Sequence, residues 1–146
     1  MPSLVVQIGP SGPVLNAFVS ITAAHHAALT AAGKAVPKPV PVRLLVDTGA
    51  TCTNVCTSVI PAAGLMQTGL VPVHTPSTAG TAVSMPQYDA SLLIPLRDGS
   101  WHTIQAMPII CADFTAQGIQ GLLGRDVLAK CAMSYHGDMN LCFLSF

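Results

Sequence analysis

The run Val42-Arg43-Leu44-Leu45-Val46-Asp47-Thr48-Gly49-Ala50 constrains this chain more than any other feature of it. An apolar stretch of strand-forming residues drives straight into an aspartate and then into a tight turn of small residues. Asp and Gly are ordinary strand-end residues, so the tripeptide Asp-Thr-Gly by itself marks only a turn. The strand in front of it changes the reading. It is expected to deliver Asp47 deep into the protein, where an ionised carboxylate is costly unless it has a use.

Two further runs follow in order. Thr75-Pro76-Ser77-Thr78-Ala79-Gly80-Thr81 is a small, uncharged, glycine-containing loop that leads to Gln87-Tyr88-Asp89. Between strand-like flanks it reads as a mobile hairpin, or more plainly as a surface turn. Then comes Ile119-Gln120-Gly121-Leu122-Leu123-Gly124-Arg125-Asp126-Val127-Leu128, an apolar strand, a glycine and a short helix. Gly124 stands 77 residues after Asp47.

The rest of the chain reads as strands. Short apolar or alternating runs occupy 4–8, 14–21, 42–46, 71–74, 88–95, 101–110 and 139–146, separated by turn signals such as Gly9-Pro10-Ser11-Gly12 and Arg97-Asp98-Gly99. Many short strands with close turns favour a closed or sandwiched all-β domain. The turn at 9–12 predicts that the first two strands pair. Residues 22–33 break the pattern: they are Ala-rich, with Thr22 placed as an N-cap and Gly33 as a stop, and form a helix of about three turns. Pro37-Lys38-Pro39-Val40-Pro41 must then be a stiff, extended connector, so 22–41 is an insertion between two strands. A second short helix is expected at 125–130. His136-Gly137-Asp138 reads as a turn that makes the C-terminal end a hairpin.

Composition narrows the partners. At 146 residues the chain fits one domain, 1–146. Only 8% of it is charged and 51% is hydrophobic, with six basic residues balanced by six aspartates and no glutamate. Such a balance argues against a nucleic-acid surface and against electrostatic membrane binding. A neutral, apolar surface suggests self-association. No apolar stretch reaches the roughly 20 residues of a membrane span, and the N-terminus lacks the basic and apolar regions of a secretory signal, so the expected compartment is the cytosol. There the five cysteines, an odd number without regular spacing, read as small apolar residues. Neither Cys52 and Cys56 nor His25 and His26 fall at metal-ligand spacings, and no metal or cofactor is expected. Trp101 and Tyr88 read as core or barrel-wall aromatics, and His74 and His102 as strand-end residues that could also line a cleft.

Together and in this order, the three runs resemble the retropepsin-like aspartic proteases, the retroviral enzymes and their cellular and bacterial relatives. The resemblance covers about 4–133, interrupted by the Ala-rich insertion. It implies a closed all-β retropepsin-like barrel with a flap hairpin at about 74–88, whose tip lies near Ala79, Gly80 and Thr81. It makes Asp47 the catalytic carboxylate. Thr48 would join the two active-site loops through its hydroxyl, Gly49 would present backbone groups to substrate, and Ala50 would pack beside the site. Ala79, Gly80 and Thr81 would close over the substrate. Leu122, Leu123, Gly124 and Arg125 would form the structural motif before the helix.

Hydrolysis by this route needs two carboxylates around one water, one ionised and one protonated. The chain carries a single Asp-Thr-Gly, so the resemblance implies a homodimer with its active site on the two-fold axis, acting as an endopeptidase on an extended peptide or protein. Two departures matter. The acidic residue that follows the Ala in viral enzymes, and that can pair with the Arg, is here Thr51, which leaves the partner of Arg125 open, with Asp126 adjacent to it. The C-terminal hairpin runs past the viral end, which leaves open how the terminal part of the dimer is organised. The alternative reading is a non-catalytic dimerisation or peptide-binding module that keeps the same fold.

Overall fold

The computed structural model describes residues 1–75 and 79–146. Among these residues ten strands form one sheet, and an added pairing between two of them closes part of it into a ring. The ring is a six-stranded barrel of β2 (Gly12–Ser20), β3 (Val40–Val46), β8 (Gly121–Leu123), β4 (Asn54–Val55), β7 (Trp101–Cys111) and β6 (Val83–Pro95). Two extensions leave it. β5 (Gln67–Val73) pairs only with β6, and β1 (Ser3–Gly9), β10 (Leu141–Ser145) and β9 (Ala132–His136) form a three-stranded arm. Closure and all-β character agree with the sequence.

Alternation builds the core. Leu15, Ala17 and Val19 of β2 and Val42, Leu44 and Val46 of β3 are buried, and the residues between them face outward. The two strands pair antiparallel from Val14↔Leu45 to Val19↔Val40. The first hairpin forms as expected, with Ile8↔Pro13 and Gly9↔Gly12, though most of β1 pairs with β10 instead. β6 serves two layers: Val83 to Tyr88 pairs with β5, and Gln87 onward pairs with β7. A bulge between Ala90 and Leu92 re-aims the strand, and the Ser91 hydroxyl there lies 2.9 Å from the Ile21 carbonyl and 2.7 Å from that of Gln105.

The insertion is helical, as its composition predicts. α1 (Ala23–Ala31) is capped by Thr22, whose hydroxyl accepts from the His25 amide at 3.2 Å. Gly33 ends it in the left-handed region, with Lys34 N–H donating to Leu29 and Gly33 N–H to Thr30 in a Schellman arrangement. No α1 residue is buried. Beyond the helix, Pro37 packs against Gly64 at the end of α2 (Val59–Ala63), where a side chain on Gly64 would collide with it.

β3 has β8 beside it only at Leu44, Leu45 and Val46, so its first half presents a bare edge. The Arg43 amide points to that side, donating to the Gln120 side chain at 2.8 Å. Pro41 stands two residues earlier, where an amide of the same parity would point outward unpaired. Proline there leaves no donor to strand, which is why it is tolerated on this edge.

Several expected elements differ in extent. β6 begins at Val83, before the expected 88, because the strand tolerates Pro86 opposite Leu70 of edge strand β5. The last strand starts at Leu141; Met139 and Asn140 belong to the turn, with Asn140 at φ 54°. The second helix, α3 (Arg125–Leu128), is shorter than 125–130. Trp101 is 51% exposed at the start of β7, edge-on to Phe18 at 5.5 Å, and so is a surface aromatic and not a core one. Tyr88 is half-buried against the core.

A candidate active site around Asp47

β3 and β8 run parallel, and the Asp47 amide continues their pairing by donating to Leu123 O at 3.0 Å. Asp47 is thus the first residue past the strand, fixed by main-chain contacts to the Leu122-Leu123 segment. Its Oδ1 accepts from the Gly49 amide at 2.8 Å, and Ala50 N–H donates to the Asp47 carbonyl at 3.2 Å, so the loop folds back on its own aspartate. A side chain on Gly49 would come within 3.1 Å of that same oxygen.

The carboxylate is not deep. Val42, Leu44 and Val46 point inward, and Asp47 falls on the alternate, outward parity and is half-buried at the barrel mouth. Thr48 and Gly49 are exposed beside it. The apolar strand therefore positions the acid without enclosing it, which corrects the sequence expectation.

The loop is clamped from the other side by the Gly-Arg segment. Arg125 N–H donates to Ala50 O at 2.9 Å, and its guanidinium donates to the Thr51 hydroxyl at 3.3 Å. Thr51 is thus the partner that the sequence leaves open. Asp126 turns elsewhere: its carboxylate accepts from the Thr53 amide at 2.9 Å, the Thr53 hydroxyl at 2.8 Å and its own neighbour Val127 N–H at 2.9 Å. Thr53 is fully buried, and its hydroxyl also accepts from Gly124 N–H at 3.1 Å. Gly124 has to be glycine, because an added methyl would drive into the Cys52 and Thr53 backbone; at Gly121 it would strike Asn54 O. The backbone approaches so closely here that the loop and the strand before α3 pack as one piece.

Thr53 is the residue that sequence reasoning misses. Its signal is a lone threonine between Cys52 and the strand residues Asn54 and Val55, which propensity alone does not separate from a surface position. Burial and the nearby Asp126 charge, in that order, push the Cys52 thiol up, so it is a poor nucleophile.

The expected flap is a hairpin of β5 and β6. Ala79 and Gly80 form its described turn with φ of 48° and 82°, and both are exposed, as is Thr81. Among the described residues no hydrogen bond joins these three to the Asp47 loop. Pro76, Ser77 and Thr78 lie outside the described residues. Two open grooves, of about 590 and 460 Å³, flank Arg43 on the barrel wall and the β1–β2 turn, and neither includes Asp47. His102 stacks on Phe146 at 4.1 Å and His74 is exposed. All five cysteines are free thiols, and no cluster of three or more His, Cys, Asp or Glu is placed to hold a metal among the described residues. Nor is any helix among them long and apolar enough to cross a membrane.

Comparison with known proteins agrees with this geometry. The sequence pattern of the family described as "Aspartyl protease" matches residues 28–127, which contain both the Asp47 loop and the Gly-Arg segment. Among solved structures the chain is similar to a retropepsin-like aspartic protease from Rickettsia conorii, with a TM-score of 0.63 and 17% identity over 99% of this chain and 90% of that one. At that identity the likeness is one of fold. No curated protein matches the sequence.

Proposed function

The chain belongs to the aspartyl protease family, and from that premise we propose that it is an endopeptidase whose active site is completed by a second copy of itself. The observation that carries the reading is the placement of Asp47: a single carboxylate at the open mouth of the barrel, held by Gly49 N–H and by Leu123, with no second acid from the same loop. One such group cannot both take a proton from water and give one to the carbonyl oxygen.

Two Asp47 residues brought together on a two-fold axis supply both roles. The ionised one withdraws a proton from the water as it attacks the peptide carbonyl, and the protonated one donates to the oxygen. Like charges a few ångström apart cannot both ionise, so the pair shares one proton, a coupling that aspartic-protease dyads have in common and that is carried over to this chain as a property of the class. On this reading the exposed Thr48 reaches across the axis with its hydroxyl, and Gly49 offers its backbone to an extended substrate. The β5–β6 hairpin closes over the substrate through Ala79, Gly80 and Thr81 and excludes water.

The test is cleavage of a peptide library by wild type and by Asp47→Asn. Loss of all cleavage in the variant supports the reading. A wild-type protein that dimerises yet cleaves nothing in the library favours the non-catalytic binding module instead.

A further inference from the structure

β2 and β3 turn four side chains outward as a square on the barrel wall. Asn16 lies opposite Arg43 and Phe18 opposite Pro41, so a polar pair stands beside an apolar pair, about 7 Å away along the strands. Ala17 and Val42, between them in sequence, are buried, and the square is therefore backed by core. Where β3 parts from β8, Ser58, Val59 and Gln120 raise a wall along it, and the space enclosed is the groove of about 590 Å³. Its volume is in the range that takes a small ligand or a short peptide.

The chemistry of this groove is one-sided. Among the described residues none of the six aspartates lines it, and Arg43 is its only ionisable group. Arg43 is exposed, and its guanidinium spends one donor, on Gly118 O at 3.3 Å. Gln120 is held in place beside it: its Oε1 accepts from Arg43 N–H at 2.8 Å, and its own amide donates to Arg43 O at 2.9 Å. Anchored through Oε1, Gln120 keeps Nε2 as a donor. Ser58 precedes α2 without capping it, which leaves its hydroxyl to the groove. Odd-numbered residues of β3 turn their main chain away from β2, as the Arg43 and Asp47 amides show, so Pro41 O faces the bare edge as an acceptor. The site thus offers several donors, one positive charge, one main-chain acceptor and an apolar bed, with no acid to compete.

We propose that this groove binds the C-terminal end of an apolar peptide, with the free carboxylate on Arg43 and the last side chain on Phe18 and Pro41. The arginine fork gives a planar carboxylate two parallel, charge-assisted hydrogen bonds, and Asn16 and Gln120 add neutral donors around it. The roughly 7 Å between the polar and apolar pairs is comparable to the span from a terminal carboxylate to the far edge of its own aromatic side chain. Pro41 O takes an N–H of the same peptide. The source of such a ligand rests on the endopeptidase reading, since each cut leaves a new carboxylate on the N-terminal fragment. Arg43 stands four residues before Asp47, and the groove does not include Asp47, so a fragment held here leaves the catalytic mouth open.

The probe is N-acetyl-Ala-Phe with a free carboxylate, set against its C-terminal amide, which has the same shape and no charge. Each is titrated into the wild-type protein and followed by residue-resolved amide chemical shifts. The acid is expected to move the amides of Asn16, Phe18, Val42 and Gln120 in a saturable way, and the C-terminal amide to bind at least tenfold more weakly. Arg43→Gln should weaken the acid at least tenfold, with both ligands then binding alike, and Asp47→Asn should bind the acid as wild type does. Equal affinities for acid and amide in the wild type overturn the proposal, as does the absence of any saturable shift in the millimolar range. Shifts confined to the Asp47 loop and Ala79 to Thr81 also overturn it, because the peptide then sits in the cleft. Acetate matching the peptide overturns it too, because the apolar pair would contribute nothing. If Arg43→Gln does not fold, the comparison of acid and amide in the wild type decides. Asp47-dependent cleavage without this binding would sink the inference alone, and binding of the acid by a protein that cleaves no peptide would sink only the catalytic reading.

Discussion

The Thr53 hydroxyl donates to Oδ1 of Asp126 at 2.8 Å while the Thr53 amide donates to Oδ2 at 2.9 Å, so one buried threonine fastens the Asp47 loop to the first turn of α3. Thr53→Val keeps the shape and removes the hydroxyl. It deprives partly buried Asp126 of a donor and the buried Gly124 N–H of its acceptor. The expected loss is about 1–3 kcal/mol by urea unfolding, with Thr53→Ser recovering most of it. No loss in the valine variant would mean that the clamp contributes nothing.

Gly124→Ala tests the close approach itself. The added methyl meets Cys52 O within 2.6 Å and Thr53 N within 2.9 Å, and both are backbone atoms that cannot rotate away. A destabilisation of about 3 kcal/mol or more is expected. Gly9→Ala is the control, since a methyl there meets nothing, and it should stay within about 0.5 kcal/mol of wild type.

Chemistry and assembly separate in a pair of variants at neighbouring positions. Asp47→Asn keeps size and hydrogen-bonding capacity but removes the negative charge. It is expected to dimerise at least as well as wild type and to lose cleavage by about 100-fold or more. Thr48→Ala keeps both carboxylates and removes the hydroxyl assigned to bridging the loops, so its activity should fall mainly on dilution. Thermal melts, sedimentation and peptide cleavage over a dilution series distinguish them. Cleavage by Asp47→Asn near the wild-type rate would end the protease reading.

Activity is expected to trace a bell against pH and to favour acid, because in the proposed two-copy site only the singly protonated pair of Asp47 residues is competent. A rate that climbs steadily into alkaline pH would point to a different nucleophile.

Stability has its own pH dependence at His102. Burial first, and then the nearby Lys130 charge, hold its pKa below the usual 6.5. The unfolded chain therefore binds the proton more readily than the folded one, and the contribution of neutral His102 stacked on Phe146 is present above about pH 6.5 and is lost as pH falls through the lowered folded value. His102→Phe, which keeps a ring and cannot protonate, should flatten this part of the stability profile between about pH 7.5 and 5 in thermal melts. Equal slopes for the two proteins would remove His102 from the account.

The barrel and the candidate Asp47 are legible from sequence through the motifs' resemblance to a known family, and each motif rests on local chemistry: an apolar strand, a turn of small residues, a glycine where backbones touch. α1 is legible too, since Thr22 and Gly33 cap it whatever surrounds it. What the sequence does not show is set by distant contacts. β4 is only Asn54–Val55 and exists because β7 and β8 flank it; β9 has no apolar alternation, since all but its last residue are exposed. The depth of Asp47 escapes the sequence for a related reason. Apolar neighbours report that a strand is buried, but parity and the strand's end decide which way the next side chain leaves it.

The parallel β3–β8 pair has a bearing on when the site comes into being. Its contacts join segments far apart along the chain, with Arg43 and Gln120 at its start separated by 77 residues, and the neighbouring Thr53–Asp126 bond spans 73. Contacts of such range carry a loop-closure cost that is met late, so folding of this region is governed by topology more than by local preference. During synthesis the Asp-Thr-Gly loop leaves the ribosome long before Gly121 to Asp126 do, and until they arrive Asp47 lacks the carbonyl of Leu123 and Ala50 lacks the amide of Arg125. The order of the sequence thus acts as a timer: a partly made chain carries the aspartate, but not the frame that aims it.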